Sequence, residues 1–510
     1  MKFKGLTRRD ALKLSGLTLG GLAVGGRPAV GKAQVDCSLT GTCYPTDESP
    51  QRYTYFDELD EFTPGTPLDP DEMRITFMGS MVPPPRRVTQ EMSVFVEVGW
   101  VTDPDGKNGR AKDQFIFDCG SGVSANYGAM GVGYARMDKV FLNHLHGDHM
   151  SDLSHIYCFG PSGDRKSPLY VWGPGPSGVR SPRRPYSVYD DGTRAFCENL
   201  RKAMRWHSES FSFQTTSYGS YERPTRESWG LPVAPIPVGD DPPDDAYALV
   251  PIELPWRNYG ERREDNVAYK NPATGVKITH FPVIHCRKGS IGYKLEWNGL
   301  SMIYTSDTKP ETHSIRQACN HGRGVDVFVH EMGVPPDVWA MKMMGLSEAG
   351  SGSAWDQYVA GAKAAQDSSH TPQGAFGYLL SQLKPRPRLT VATHFPVADD
   401  TVACALKSVR EHCPGIRWNK KNGEITWSFD LMVIRVFAGD PARLGHHKPR
   451  ILQQRAVVND FSISTYPPRV YPDPNWPKYH TPDGDPDPFA QIDRSTEILA
   501  GDDTFCESGY

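Results

Sequence analysis

No C-x-x-C pair occurs among the ten cysteines of this 510-residue chain, which argues against a thiolate zinc site of the finger or ribbon kind. Long runs of Lys or Arg are missing too. The formal net charge is −4 and the pI about 6.5, so nothing in the charge balance supplies the basic surface that nucleic-acid binding requires. No apolar stretch makes a good bilayer span of ~20 residues, and no segment repeats at a fixed period. What remains has globular composition: 38% hydrophobic, and long enough for one large elaborated domain or about two to three ordinary ones.

The first 33 residues read as an address. Arg8-Arg9 precedes a short, glycine-rich apolar run, and Gly31 and Ala33 are small residues placed before an expected cut. Thr7, Arg8, Arg9, Leu12 and Lys13 resemble a twin-arginine signal, with Ala11 standing where an aromatic is commonest. The expectation is a periplasmic or secreted mature chain, handled by the twin-arginine translocon during export and left with no stable membrane span after cleavage. Cys37 and Cys43 flank "SLTGT" and could close a small loop in that compartment.

Residues 34–70 are polar and proline-bearing, an N-terminal extension. A catalytic domain is expected over 71–440. Its strand signals are "MRITFMG", "MSVFVEVG", "DQFIFDCGSG" and "MDKVFLNHLHGDH", then "GVKITHFPVIHC", "GSIGYKLEWNG", "LSMIYTSDT", "VDVFVHEMG" and "RLTVATHFPV". Helix-compatible stretches include "SIRQACNHG", "TPQGAFGYLLSQLKP" and "TRAFCENLRKAMRWH", the last with Phe196, Leu200, Met204 and Trp206 roughly on one side. A proline- and aromatic-rich insertion, about 176–270, carries Asp240, Asp241, Asp244 and Asp245 and is expected to roof part of a cleft. Residues 441–510 form an irregular, proline-rich tail.

Three histidines and an aspartate crowd into "HLHGDH": His144, His146, Asp148 and His149, where an apolar strand run breaks off. Metal ligation is the physical reason for such a cluster. Four neighbouring residues cannot complete a two-metal site, and the second half offers more at three further strand ends: His285, Asp307 and His394. Taken alone, either His285 or His394 also reads as a satisfied histidine, and Asp307 as a helix N-cap before "KPETHSI".

In that order, these residues and the upstream "FDCGSG" resemble the metallo-β-lactamase superfamily. Within it, "VIHCRKGSIGYKLEWNGLSMIYTSDT", "VDVFVHEMG" and "SSHTPQGA" are similar to segments of the ribonuclease Z and arylsulfatase branch. There is also a fainter likeness to long exported members named after guanitoxin biosynthesis. Ser306 replaces the usual glycine before Asp307, Met332 replaces alanine after Glu331, and no serine separates His370 from Thr371.

The resemblance implies an α/β protein, an αββα four-layer sandwich of two mixed sheets with ligands along one edge. It implies two Zn²⁺, with Mn²⁺ or Fe as substitutes: one on His144, His146 and His285, the other on Asp148, His149 and His394, with Asp307 bridging. A di-iron oxidoreductase is disfavoured because His146 stands where those relatives carry glutamate. The pair would hold a hydroxide about 3.5–4 Å from metal to metal, hydrogen-bonded by Asp148. His370, oriented by Glu331, would protonate the leaving group, although "SSHTPQ" also reads as a plain helix start. His330 is expected to be structural, and His313, His321, His446, His447 and Cys286 to be surface or packing residues.

The function implied is a dinuclear zinc hydrolase acting on a small phosphodiester or related ester. Arylsulfatase, lactonase or β-lactamase activity on the same centre are the alternatives, and a non-catalytic metal-bound scaffold is the rival from another class. A small-molecule substrate is expected and no nucleic acid; a homodimer is left open.

Overall fold

The computed structural model describes residues 59–458 apart from 86–88, 104–108, 166, 183–186, 213–247, 259–265, 334–335, 347–348, 396–401, 420–421 and 440–448. The twin-arginine segment, the Cys37–Cys43 loop, the four-aspartate stretch, His446, His447 and everything after 458 lie outside the described residues.

Sixteen described strands alternate with helices. The first half of the chain holds β1 (Asp60–Phe62), β2 (Glu72–Gly79), β3 (Ser93–Thr102), β4 (Gly109–Phe117), β5 (Lys139–Phe141), β6 (Leu169–Pro174) and β7 (Leu249–Leu254). Next come β8 (Val267–Asn271), β9 (Val276–Pro282), β10 (Ile291–Trp297), β11 (Leu300–Tyr304), β12 (Val327–Glu331), β13 (Leu389–Thr393) and β14 (Ile425–Trp427). Last are β15 (Met432–Phe437) and β16 (Arg450–Ala456). They form two mixed sheets, one ordered β1-β16-β15-β2-β3-β4-β5-β6-β7 and the other β14-β13-β12-β11-β10-β9-β8.

The period of two along each strand decides the layering. Met73, Ile75 and Phe77 of β2, Val94, Val96 and Val98 of β3, and Phe115 and Phe117 of β4 meet Ile278, Tyr293, Leu295, Met302, Val327 and Val391 of the other sheet in one core. Phe141 and Trp172 stack within it, their ring centres 4.5 Å apart. The alternate residues face outward onto helices. Ile116, Val140 and Val171 pack against helices Val123–Ala129 and Leu153–Phe159, whereas Ile303, Phe328 and Ala392 pack against Gln373–Gln382 and Val402–His412. Both faces of each sheet are therefore covered, the expected αββα sandwich. Each large apolar side chain so buried contributes roughly 1.5–3 kcal/mol.

The structure corrects three expectations. The first sheet reaches past both expected domain boundaries, because β16 lies between β1 and β15 and pairs Gln454 with Asp60 and Gln453 with Ile434. The expected insertion likewise yields sheet strands: β7 pairs with β6 in parallel, Pro251 opposite Val171, and β8 opens the second sheet. Pro251 is tolerated because, among the described strands, β7 stands at the edge of its sheet with no further neighbour to donate to. The helix Thr193–Ala203 ends at Met204; Phe196, Leu200 and Met204 pack on the core while Trp206, in the next helix, is 83% exposed. No helix among the described residues is long and apolar enough to cross a membrane.

Candidate metal centre

The ends of five strands converge on one edge of the sandwich. His144 follows β5, His285 follows β9, Asp307 follows β11, Glu331 ends β12 and His394 follows β13. The loop after β5 turns at once into the one-turn helix Gly147–Met150, which carries Asp148 and His149 inward. This turn lies on the "DCGSG" loop after β4: Cys119 N–H donates to His149 O at 2.7 Å, and a Cβ on Gly120 would come within 2.1 Å of Asp148 O. Only glycine permits that approach.

All seven expected ligands, with Glu331 and His370, fall into three overlapping groups whose ligand atoms lie within 4.8 Å of one another: His144, His146 and His285; Asp148, His149, Asp307 and His394; and His285, Asp307, Glu331 and His370. Asp307 is common to two. Its Oδ1 lies 3.3 Å from His149 Nε2 and 3.5 Å from His394 Nδ1, and its Oδ2 lies 3.7 Å from His285 Nε2. On one side His285 Nε2 approaches His146 Nδ1 to 3.1 Å; on the other Asp148 Oδ2 is 3.3 Å from both His149 Nε2 and His394 Nε2.

The donor set fits divalent metal. Both ring nitrogens of buried His144, together with His149 Nε2 and Asp307 Oδ1, have no hydrogen-bond partner, a costly state for buried polar atoms unless something else satisfies them. Burial pushes His144 well below the usual imidazole range, and the neighbouring His149 reinforces this, the direction that favours the neutral form a ligand needs. Burial alone would raise Asp307, yet His394 and His149 hold its carboxyl well below the usual carboxylate range.

Supporting bonds orient the rings. His285 Nδ1 donates to Ser369 O at 2.8 Å, turning Nε2 to the centre. His149 Nδ1 donates to Asp118 Oδ2 at 2.8 Å, and the same oxygen accepts from Tyr304 Oη at 2.9 Å and Ser306 Oγ at 2.8 Å, while Oδ1 accepts from Asn143 N–H at 2.9 Å. Asp118 is fully buried. Sequence reasoning did not single it out, although it stands inside the quoted "FDCGSG"; only the fold shows four donors converging on it. Ser306, the departure from the usual glycine, sits at φ 55°, where a side chain is strained, and its hydroxyl is used on Asp118. Asp118 and His394 share that left-handed region, at φ 57° and 56°.

His370 does not start a helix. It closes the helix Ser353–Ser369 and precedes Gln373–Gln382. Its Nδ1 pairs with Glu331 Oε2 at 2.8 Å; Glu331 Oε1 accepts from Thr308 N–H. Burial would lower the ring, but the Glu331 carboxylate raises it above its ordinary value. Asp307 caps no helix, since Glu311 caps Thr312–Cys319. His330 is fully buried beside Phe328 and Phe376, its Nδ1 2.7 Å from Glu331 O, and it belongs to none of the three groups.

Parts of the expected roof border this edge. Ser177, Gly178, Trp256 and Arg257 line a cavity of about 900 Å³ together with His285.

No protein-family model matches the chain. Among curated proteins, it is 23% identical over 268 residues to a ribonuclease BN of Proteus mirabilis, covering 51% of this chain and 76% of that one. It is 25% identical over 248 residues to a ribonuclease Z of Mycolicibacterium gilvum, covering 47% and 62%. A ribonuclease Z of Natronomonas pharaonis matches at 35% over 104 residues, 20% of this chain and 29% of that one. Among solved structures, a metallo-beta-lactamase fold protein of Bacillus subtilis superposes with a TM-score of 0.40 at 14% identity, covering 71% of this chain and 99% of that one. With the histidine motif borne on an αββα sandwich, these matches make the chain similar to metallo-hydrolases of the metallo-β-lactamase fold, ribonucleases Z and BN among them.

Proposed function

We propose that the chain is an exported dinuclear zinc hydrolase that cleaves a small phosphodiester or related ester. The observation that carries this reading is Asp307, a buried carboxylate whose Oδ1 lies beside His149 and His394 and whose Oδ2 lies beside His285. His144, His146 and His285 would hold one ion, Asp148, His149 and His394 the other, and Asp307 both. Two zinc ions there would supply Lewis acidity toward the ester oxygen and a water activated at neutral pH.

The chain's own groups do the rest. Asp148, whose Oδ2 lies 3.3 Å from both His149 Nε2 and His394 Nε2, would accept a hydrogen bond from an attacking water and fix its direction. Glu331 holds the Nδ1 proton of His370, so Nε2 of this part-exposed ring meets the leaving-group oxygen and gives up a proton to it. The strand-end loops hold both carboxylates and the imidazoles in place without reorganisation.

Metal analysis of the purified chain, with turnover of a panel of chromogenic phosphodiesters, sulfate esters, lactones and β-lactams, tests the proposal. Metal-loaded protein inactive on all of them would favour the scaffold reading. RNA is the second substrate reading, supported by the ribonuclease names of the relatives; the charge of −4 supports the small ester instead. Export rests on Arg8-Arg9. Replacing both with Lys should leave the protein in the cytoplasm on fractionation, and unchanged export would refute the assignment.

A further inference from the structure

The cavity beside His285 is larger than the metal-ligand set requires, and most of its wall comes from residues the reacting centre does not use. Ile284 lies next to His285 on the loop after β9, Trp256 and Arg257 stand just beyond β7, and Arg287 and Lys288 belong to the turn before β10. The apolar part is pre-arranged. Ile284 keeps 53% of its surface exposed, and the half-buried Trp256 is fixed by an Nε1–H donated to Pro176 O at 3.3 Å, with the Arg257 guanidinium 5.1 Å from its ring centre.

The charge of the wall is one-sided. Among the described residues that line it, the carboxylate is Glu311, and both oxygens of that group are engaged in capping the helix Thr312–Cys319, accepting from His313 N–H and Ser314 N–H at 2.5 Å each. Arg287 is held by an ion pair with Asp191. Lys288 has no carboxylate partner among the described residues. A ligand that fills the space therefore meets an apolar surface and an ammonium group that no carboxylate among the described residues pairs, on a wall that includes the candidate metal ligand His285.

We infer that this cavity receives the part of the substrate that does not react, and that this part is an apolar, ring-sized body bearing a second negative charge, seated against Trp256 and Ile284 and paired with Lys288. The inference rests on the hydrolase reading of the metal centre and narrows its substrate class. Lys288 and Trp256 act here as positioning and specificity residues; neither belongs to the ligand set.

The test uses the full zinc-loaded chain and two esters, 4-nitrophenyl phenyl phosphate and the same ester with a carboxylate on the phenyl ring. The carboxylated ester should have a KM about fivefold lower, the size of one partly exposed ion pair. Lys288→Ala should abolish that preference and Lys288→Glu reverse it, while Trp256→Ala should raise KM for both esters, with kcat changing less than KM in each case. Calorimetric titration with 2-naphthalenesulfonate, a poor metal ligand, provides a readout independent of turnover: its affinity should fall about fivefold or more in Lys288→Glu and in Trp256→Ala. A KM ratio that Lys288 does not alter, or sulfonate binding that neither substitution weakens, overturns the inference. If the protein hydrolyses neither ester but binds the sulfonate in a Lys288-dependent way, the cavity's ligand class stands and the hydrolase reading falls.

Discussion

Asp118→Asn should damage the metal centre without touching a candidate ligand. In the native chain the Asp118 carboxylate accepts four hydrogen bonds, from His149 Nδ1, Tyr304 Oη, Ser306 Oγ and Asn143 N–H, and the residue is fully buried. An asparagine keeps one oxygen and turns an NH₂ donor toward donors. If the oxygen stays with His149, the amide faces the Asn143 N–H; if it stays with Asn143, the amide faces His149, Tyr304 and Ser306 and the imidazole loses the partner that sets its tautomer. The better of the two orientations leaves one buried donor unsatisfied at a cost of about 1–3 kcal/mol, so the metal-free variant should unfold about 1–3 kcal/mol more easily than wild type. Mutating a partner of this kind typically costs 10–100-fold in metal affinity or activity, equivalent to about 1.4–2.7 kcal/mol. The assay is a zinc competition titration against a chromophoric chelator, run beside denaturant unfolding of the apo-protein. A variant that holds zinc within about threefold of wild type and unfolds at the same denaturant concentration would refute the reasoning, because it would mean that His149 needs no anchor.

Two other substitutions follow from the same geometry. Gly120→Ala places a Cβ against Asp148 O at 2.1 Å and should destabilise the fold by about 1–3 kcal/mol while lowering metal content, measured by thermal melting and elemental analysis; full metal retention would show that the loop under the histidine turn can move aside. His370→Ala should leave metal content intact and slow a poorly activated alkyl ester by about 10²–10⁴-fold but a nitrophenyl ester far less, since its phenolate departs unaided. Equal losses on both esters would mean that His370 only positions substrate.

The legibility of this molecule in its sequence follows the reach of the signals. Alternating apolar residues mark β2 and β10 and short apolar runs mark β3 and β12 locally, and ligand-type residues stand out because each strand run ends where one begins: "FLNH", "PVIH", "YTSD" and "VATH". Pairings that depend on distant residues are silent. β16 looks like part of an irregular tail until it meets β1, nearly the whole described chain away, and Pro251 hides β7 because a local pattern cannot tell an edge strand from a loop. Asp118 illustrates the same limit within the site. Its four donors come from residues 143, 149, 304 and 306, so no single window of sequence shows that a carboxylate there is anything more than a turn residue after a strand. The helix Ser353–Ser369 escaped for a different reason: its alanines and small polar residues carry little amphipathic signal, and without it His370 reads as a helix start instead of a helix end.

The claim on which the rest depends is that one buried aspartate serves two metal ions. Elemental analysis of the purified chain and of Asp307→Ala, each dialysed against zinc and then metal-free buffer, tests it directly. The account predicts close to two zinc ions per wild-type chain and fewer than one in the variant, with ester hydrolysis lost alongside. Two ions retained in Asp307→Ala, or a wild-type chain that holds a single ion at full activity, would contradict it.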